Sequence, residues 1–242
     1  MLPTSATLFW GFAVLAVALV TLVVAGMWIA GRRLGTPPTD NRRATAVVAL
    51  TGAAWLAITW MIAASAVLRD FDRRPPPFLL FVAVTAAITV GIALSPVGTR
   101  LVRGLSLTAL VGSQVFRFPL ELLMDRAYHE GVMPVQMSFE GQNLDVLSGI
   151  SAAVVAALLF VRRIPRWAVL AWNVVAFALL VNIVVVAILS TPLVAYFGRD
   201  RLNVWVTYPP FVWLPEVMVM AALLGHVLIF RKLRTAASVA AA

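Results

Sequence analysis

Apolar residues in this chain come in long unbroken runs rather than in alternating or amphipathic patterns. Seven runs stand out, at residues 8–30, 44–68, 78–94, 104–124, 144–161, 167–189 and 211–230. A hydrocarbon core of ~30 Å takes about 20 apolar residues in helical form, and a helix satisfies its own backbone hydrogen bonds there. The pattern predicts an all-α membrane protein, a bundle of about seven transmembrane helices in one polytopic domain over residues 1–242. The first run has no basic residue ahead of it, is too long for a signal-peptide core and ends at Arg32 and Arg33. It therefore reads as a retained span. Small residues such as Ala53, Ala54 and Ala57, or Ala221, Ala222 and Gly225, let helix backbones approach closely.

Composition adds an exclusion. Hydrophobic residues make up 62% of the chain and charged residues 12%, whereas a soluble domain carries about a quarter charged residues. The excess apolar surface must face lipid. The net charge of +9 does not mark a nucleic-acid partner, because the basic residues sit in short clusters beside the apolar runs, where the positive-inside rule places them. With no cysteine there is no disulfide, thiol nucleophile or cysteine metal site. No cofactor and no metal are implied.

Counting charges by loop orients the bundle. With the N-terminus outside, seven spans put the C-terminus in the cytoplasm. The inner side then holds Arg32, Arg33, Arg42, Arg43, Arg100, Arg103, Arg162, Arg163, Arg166, Arg231, Lys232 and Arg234. The outer side holds Arg69, Arg73, Arg74, Arg126, Arg199 and Arg201. Acids sort the opposite way: Asp40 lies inside, while Asp70, Asp72, Asp125, Glu130, Glu140, Asp145 and Asp200 lie outside. The expected address is the bacterial cytoplasmic (inner) membrane, crossed several times, with the lipid bilayer as the partner common to every reading.

The fourth run carries the informative polar residues. Gln114, Arg117, Glu121 and Asp125 are spaced 3, 4 and 4 apart, which keeps them on one helix face. Charge at this depth should face the bundle interior. Pro119 lies inside the stripe and should loosen the backbone near Gln114–Val115. One reading is an Arg117–Glu121 pair that only fixes packing; the other is a binding or proton site built on a guanidinium suited to carboxylate or phosphate. The following loop returns on the same side with His129, Glu130, Glu140, Gln142, Asn143 and Asp145. Asn143 also suits a helix N-cap, and residues 132–139 are apolar enough to form a lid. The candidate ligand-binding set is Arg117, Glu121, Gln114, Asp125, Glu140, Asn143 and Asp145.

Other polar positions are read separately. Asn173 and Asn182 should make interhelical hydrogen bonds. Glu216 either extends the acidic site or sits among headgroups, and His226, near the inner end of the last span, reads as a packing histidine remote from the stripe. Trp205, Tyr208 and Trp213 read as an outer aromatic belt, Trp167 and Trp172 as an inner one. A retinal Schiff base is excluded because Lys232 lies beyond the last span, a bis-histidine haem because His129 and His226 lie at opposite faces.

Phe116-Arg117-Phe118-Pro119-Leu120-Glu121-Leu122, then Met137-Ser138-Phe139-Glu140-Gly141-Gln142-Asn143-Leu144-Asp145, then Pro210-Phe211-Val212-Trp213-Leu214-Pro215 resemble a family of uncharacterised bacterial seven-helix inner-membrane proteins. The resemblance covers about residues 100–234. It implies a shared seven-helix fold with an Arg/Glu fourth helix and this acidic loop, and brings no activity.

Three functions are compatible with the sequence. The leading expectation is binding or transport of a small polar or anionic ligand, or a proton, at an extracytoplasmic-facing Arg/Glu pocket. The alternatives are a non-catalytic subunit of a membrane complex, whose partner would be another membrane protein, and an intramembrane enzyme acting on a lipid-like substrate through an acidic cluster of Glu121, His129, Glu140 and Asp145.

Overall fold

Serine and proline mark where most of the helices begin. In the computed structural model, which describes residues 3–161 and 164–240, the Ser5 hydroxyl accepts from the Leu8 amide at 3.1 Å to open α1, Ala6–Arg33. A side-chain oxygen there satisfies one of the helix's unpaired N–H groups. Arg32 and Arg33 fall in the last turn, where positive charge complements the helix dipole. Helix α2, Pro38–Ala64, and α3, Pro77–Leu94, each start on a proline, whose missing N–H costs nothing at that position. Ser95 closes α3 and caps the short α4, Pro96–Gly104. Ser106 caps α5, Leu107–His129. Then follow α6, Val146–Val161, and α7, Arg166–Leu189. The final span, α8, is Leu214–Thr235 and opens with a π-helical turn.

Six of these helices, α1, α2, α3, α5, α7 and α8, are long and apolar enough to cross a membrane. The protein is a multi-pass, all-helical membrane protein. The stretch expected as a fifth span appears as the 16-residue α6, short of the length a full crossing ordinarily takes. The expected fourth span, 104–124, is displaced: the chain turns at Leu105 and Ser106, and α5 runs on to His129. Within it the backbone tightens to a 3-10 turn over Ser113–Phe116, with the Arg117 amide bonded to the Gln114 and Val115 carbonyls. Pro119, lacking an N–H, leaves the Val115 carbonyl without its usual helical partner. The last span also shifts, from 211–230 to Leu214–Thr235. Arg162 and Arg163, counted above among the inner basic residues, lie outside the described residues.

Helix α8 is the centre of the bundle, with 61% of its apolar stretch buried against 11% for α2. It packs against α3, α4, α5 and α7, while α1 packs against α2, α4 and α5. Exposed Val47, Leu50 and Met61 on α2 and Val14 and Val17 on α1 give those helices apolar outer faces, as expected where the solvent is hydrocarbon. Trp205 and Trp213 do not form an outer belt. They are 1% and 8% exposed, Trp205 against Phe12 and Phe211, and Trp213 donating from Nε1 to the Thr59 hydroxyl at 3.0 Å. The segment ahead of α8 folds inward over the helix ends, so its aromatic rings fill the core.

Candidate functional site

Arg117, at the start of the α-helical part of α5, is 1% exposed. Its Nε donates to Asp145 Oδ2 at 2.7 Å, and Nη2 donates to Asp145 Oδ1. Nη1 donates to His226 Nε2 at 2.8 Å, and both Nη1 and Nη2 reach the Ala176 carbonyl at 3.3 Å. A guanidinium has five N–H donors, and all five are engaged. The expected Arg117–Glu121 pair therefore does not form. Arg117 turns instead to the acid at the entrance of α6 and to α7 and α8, tying four helices together.

His226 is not remote from the stripe. An arginine N–H can only donate, so Nε2 accepts and the ring proton lies on Nδ1, which donates to Asn173 Oδ1 at 2.8 Å. Asn173 in turn donates from Nδ2 to the His226 carbonyl at 3.3 Å. The sequence placed His226 deep in the last span but gave no register between α5 and α8, and that register sets the two residues face to face. Asn182, the other asparagine of α7, bonds the Gln142 carbonyl at 2.9 Å.

Glu121 lies one turn along from Arg117 and is 2% exposed. Its Oε2 accepts from Asn143 Nδ2 at 2.7 Å; Oε1 has no hydrogen-bond partner among the described residues. Asn143 also donates to the Met137 carbonyl at 3.1 Å and accepts from the Asp145 amide at 3.0 Å. It thus does both jobs anticipated for it, ordering the entrance to α6 and touching the acid of α5. Gly149 completes the joint. A Cβ there would run into the Arg117–Phe118 backbone, so only glycine lets α6 approach closely enough for Asp145 to meet Arg117.

The remaining candidates separate from this centre. Gln114 is buried against Gly225, with neither amide atom bonded among the described residues. Asp125 and Glu140 do not reach Arg117: they flank the exposed His129, with ligand atoms of the three residues within 4.8 Å of one another. The acidic cluster expected to act as one is therefore two groups, one buried and one exposed. Glu216 belongs to neither. It is 1% exposed, and neither of its carboxyl oxygens has a hydrogen-bond partner among the described residues, the Thr85 hydroxyl beside it donating to the Phe81 carbonyl at 2.9 Å. Outside the spans, the Ser5 hydroxyl donates to Glu130 Oε1 at 2.6 Å and its amide to Oε2 at 3.0 Å. The Ser5 hydroxyl and amide hold the Glu130 carboxyl below its usual range.

Beside the Arg117 centre lies a cavity of about 340 Å³ between α3, α5, α7 and α8. Apolar side chains such as Phe78, Val82, Leu120, Leu180 and Ile183 make most of its wall; Arg117, Glu121 and Asp145 supply polar ground. Ala83 and Ile188 line it and are exposed, so it opens sideways between α3 and α7, along apolar stretches of both. Met137, Asn203 and Val206, from the segments between the spans, also line it. Gln136 ties two of these segments to α7, donating from Nε2 to the Ser190 hydroxyl at 2.9 Å and to the Arg201 carbonyl at 2.7 Å. Nothing in the sequence pattern announced the cavity, because its walls are ordinary span residues. Comparison of the chain with protein-family models, with curated proteins and with solved structures finds no match.

Proposed function

We propose that this chain is a seven-helix protein of the bacterial inner membrane that binds a small amphipathic ligand entering from the bilayer. The observation that carries the reading is the cavity: apolar, open between two spans, and bordered at depth by Glu121. Its volume falls in the range of pockets that enclose small molecules. A lipid-like ligand reaches the opening by lateral diffusion.

The seventh crossing is α6. It runs antiparallel to α5, Gly149 meeting Phe118 and Gly112 facing Ala156, and presents exposed Leu147, Ile150, Val154 and Leu158 outward. Seven crossings put the termini on opposite sides, in keeping with the charge count. The basic end is knit together by Arg231 Nη2 donating to Thr99 at 2.8 Å and Lys232 to the Val102 carbonyl at 2.7 Å. The resemblance of residues 100–234 to bacterial seven-helix proteins supports the same address. A free anion is a poor match for this site, since the guanidinium it would need is already saturated. The enzymatic reading loses weight because its acidic residues divide between two places.

The test is native mass spectrometry of protein released from bilayer nanodiscs. One amphiphile per chain should survive on the wild type and be lost in Ala187→Trp, which fills the cavity, and in Ala83→Phe, which obstructs its rim. Equal adduct patterns in all three proteins would remove the proposal.

A further inference from the structure

The polar atoms facing the cavity are of one kind. Arg117 has no N–H left to offer, its five donors going to Asp145, His226 and Ala176. Thr191 lines the cavity and spends its hydroxyl proton on the Ile188 carbonyl at 2.7 Å. Asn203 also lines it, 1% exposed, with Nδ2 directed to the Ala187 carbonyl at 3.5 Å and Oδ1 unpartnered among the described residues. Glu121 Oε1 has no partner among the described residues. What the walls offer a ligand without a partner of their own is therefore oxygen: one of the Glu121 carboxyl and one of the Asn203 amide. An acceptor left without a donor away from water is unfavourable, so a ligand that supplies donors relieves that cost at each.

We infer that the cavity selects an amphiphile whose head donates hydrogen bonds, an ammonium or a hydroxyl, and discriminates against carboxylate and phosphate heads. This rests on the binding reading above. Asp145 balances Arg117, so a cationic head can pair with the Glu121 carboxyl without competing for the guanidinium. The tail is short. A methylene occupies about the room of a water molecule, roughly 30 Å³, so 340 Å³ accommodates a chain of about ten carbons.

Three photoreactive probes test this, decylamine, decanol and decanoate, each with a diazirine near the chain end, applied to the full chain in nanodiscs of zwitterionic lipid. Labelled peptides are mapped by mass spectrometry. The amine and the alcohol should label α3 and α7 around Ala83 and Val184, about tenfold more than decanoate, the factor that one charge-assisted hydrogen bond supplies. Glu121→Gln, which replaces a carboxylate oxygen with a donor, should lower amine labelling by a similar factor, and Asn203→Leu should lower labelling by both donor probes. The amine-to-alcohol ratio then tells which donor head is preferred. Decanoate labelling equal to or above that of the amine would overturn the donor inference while leaving a chain-binding cavity in place. Absence of cavity labelling by all three would overturn the binding reading and this inference with it.

Discussion

Arg117 and Asp145 are 28 residues apart in the chain and meet through two parallel hydrogen bonds at a point where both are almost wholly enclosed. The pair joins α5 to the entrance of α6, and the remaining guanidinium donors carry the joint on to α7 and α8. Removing one partner strands the other charge. Arg117→Ala or Asp145→Ala should each destabilise the protein by about 3–5 kcal/mol, and Arg117→Lys should rescue little, because an ammonium cannot reproduce the fork. Changing both residues to leucine should cost less than the sum of the single changes. Thermal unfolding in nanodiscs, arranged as a double-mutant cycle, measures this.

His226 accepts from Arg117 and donates to Asn173, so its replacement by leucine leaves a donor and an acceptor unmatched at once. The expected loss is about 1–3 kcal/mol for each orphaned group. Asn173→Leu should lower stability by a smaller amount, and the double variant should be less harmed than the two losses added together. A purely additive result would show that the three residues do not act as a chain.

Gly149 and Gly225 sit where a Cβ would meet the Arg117–Phe118 backbone and the Gln114 amide, respectively. The backbone cannot yield as a side chain can. Gly149→Ala should therefore cost more than Gly225→Ala, within the roughly 1–3 kcal/mol typical of overpacking. Equal melting temperatures for the two variants would contradict the close approach of α6 to α5.

Glu130 clamps Ser5 beside the end of α5, and the clamp needs the ionised carboxylate. Because the carboxyl is held below its ordinary value of 4.5, the clamp's contribution is complete above that value. It fades as pH falls through the lowered one. Hydrogen exchange at the start of α1 should be slow and constant from neutral pH down to about 5 once corrected for intrinsic rates, then quicken on further acidification. Glu130→Gln should show the faster exchange at every pH.

Orientation is open to direct measurement, since the chain contains no cysteine. Single cysteines at Asp72, Glu140 and Arg199 should react in intact cells with a membrane-impermeant maleimide. Cysteines at Asp40, Arg103 and Arg234 should react only after the membrane is opened. Labelling of both sets from outside, or the reverse order, would refute the proposed topology.

Membrane residence, helix-only construction and the inward polar face of α5 are all properties of short stretches of chain, and the sequence alone determined them. Long apolar runs compel helices because hydrocarbon offers the backbone no partners, and spacings of three and four put Gln114, Arg117 and Glu121 on one side. Partner choice was decided elsewhere. Glu121 is the local neighbour of Arg117, yet Asp145 takes the guanidinium, because Gly149 draws α6 against α5 and leaves Glu121 to Asn143. The register between α5 and α8, which brings His226 to Arg117, and the lateral opening between α3 and α7 depend on how separate helices pack. So does the burial of Trp205 and Trp213, whose composition suits a headgroup belt equally well. Periodicity fixes which face of a helix turns inward; only the packed bundle decides which side chain waits opposite, and where the walls stand apart.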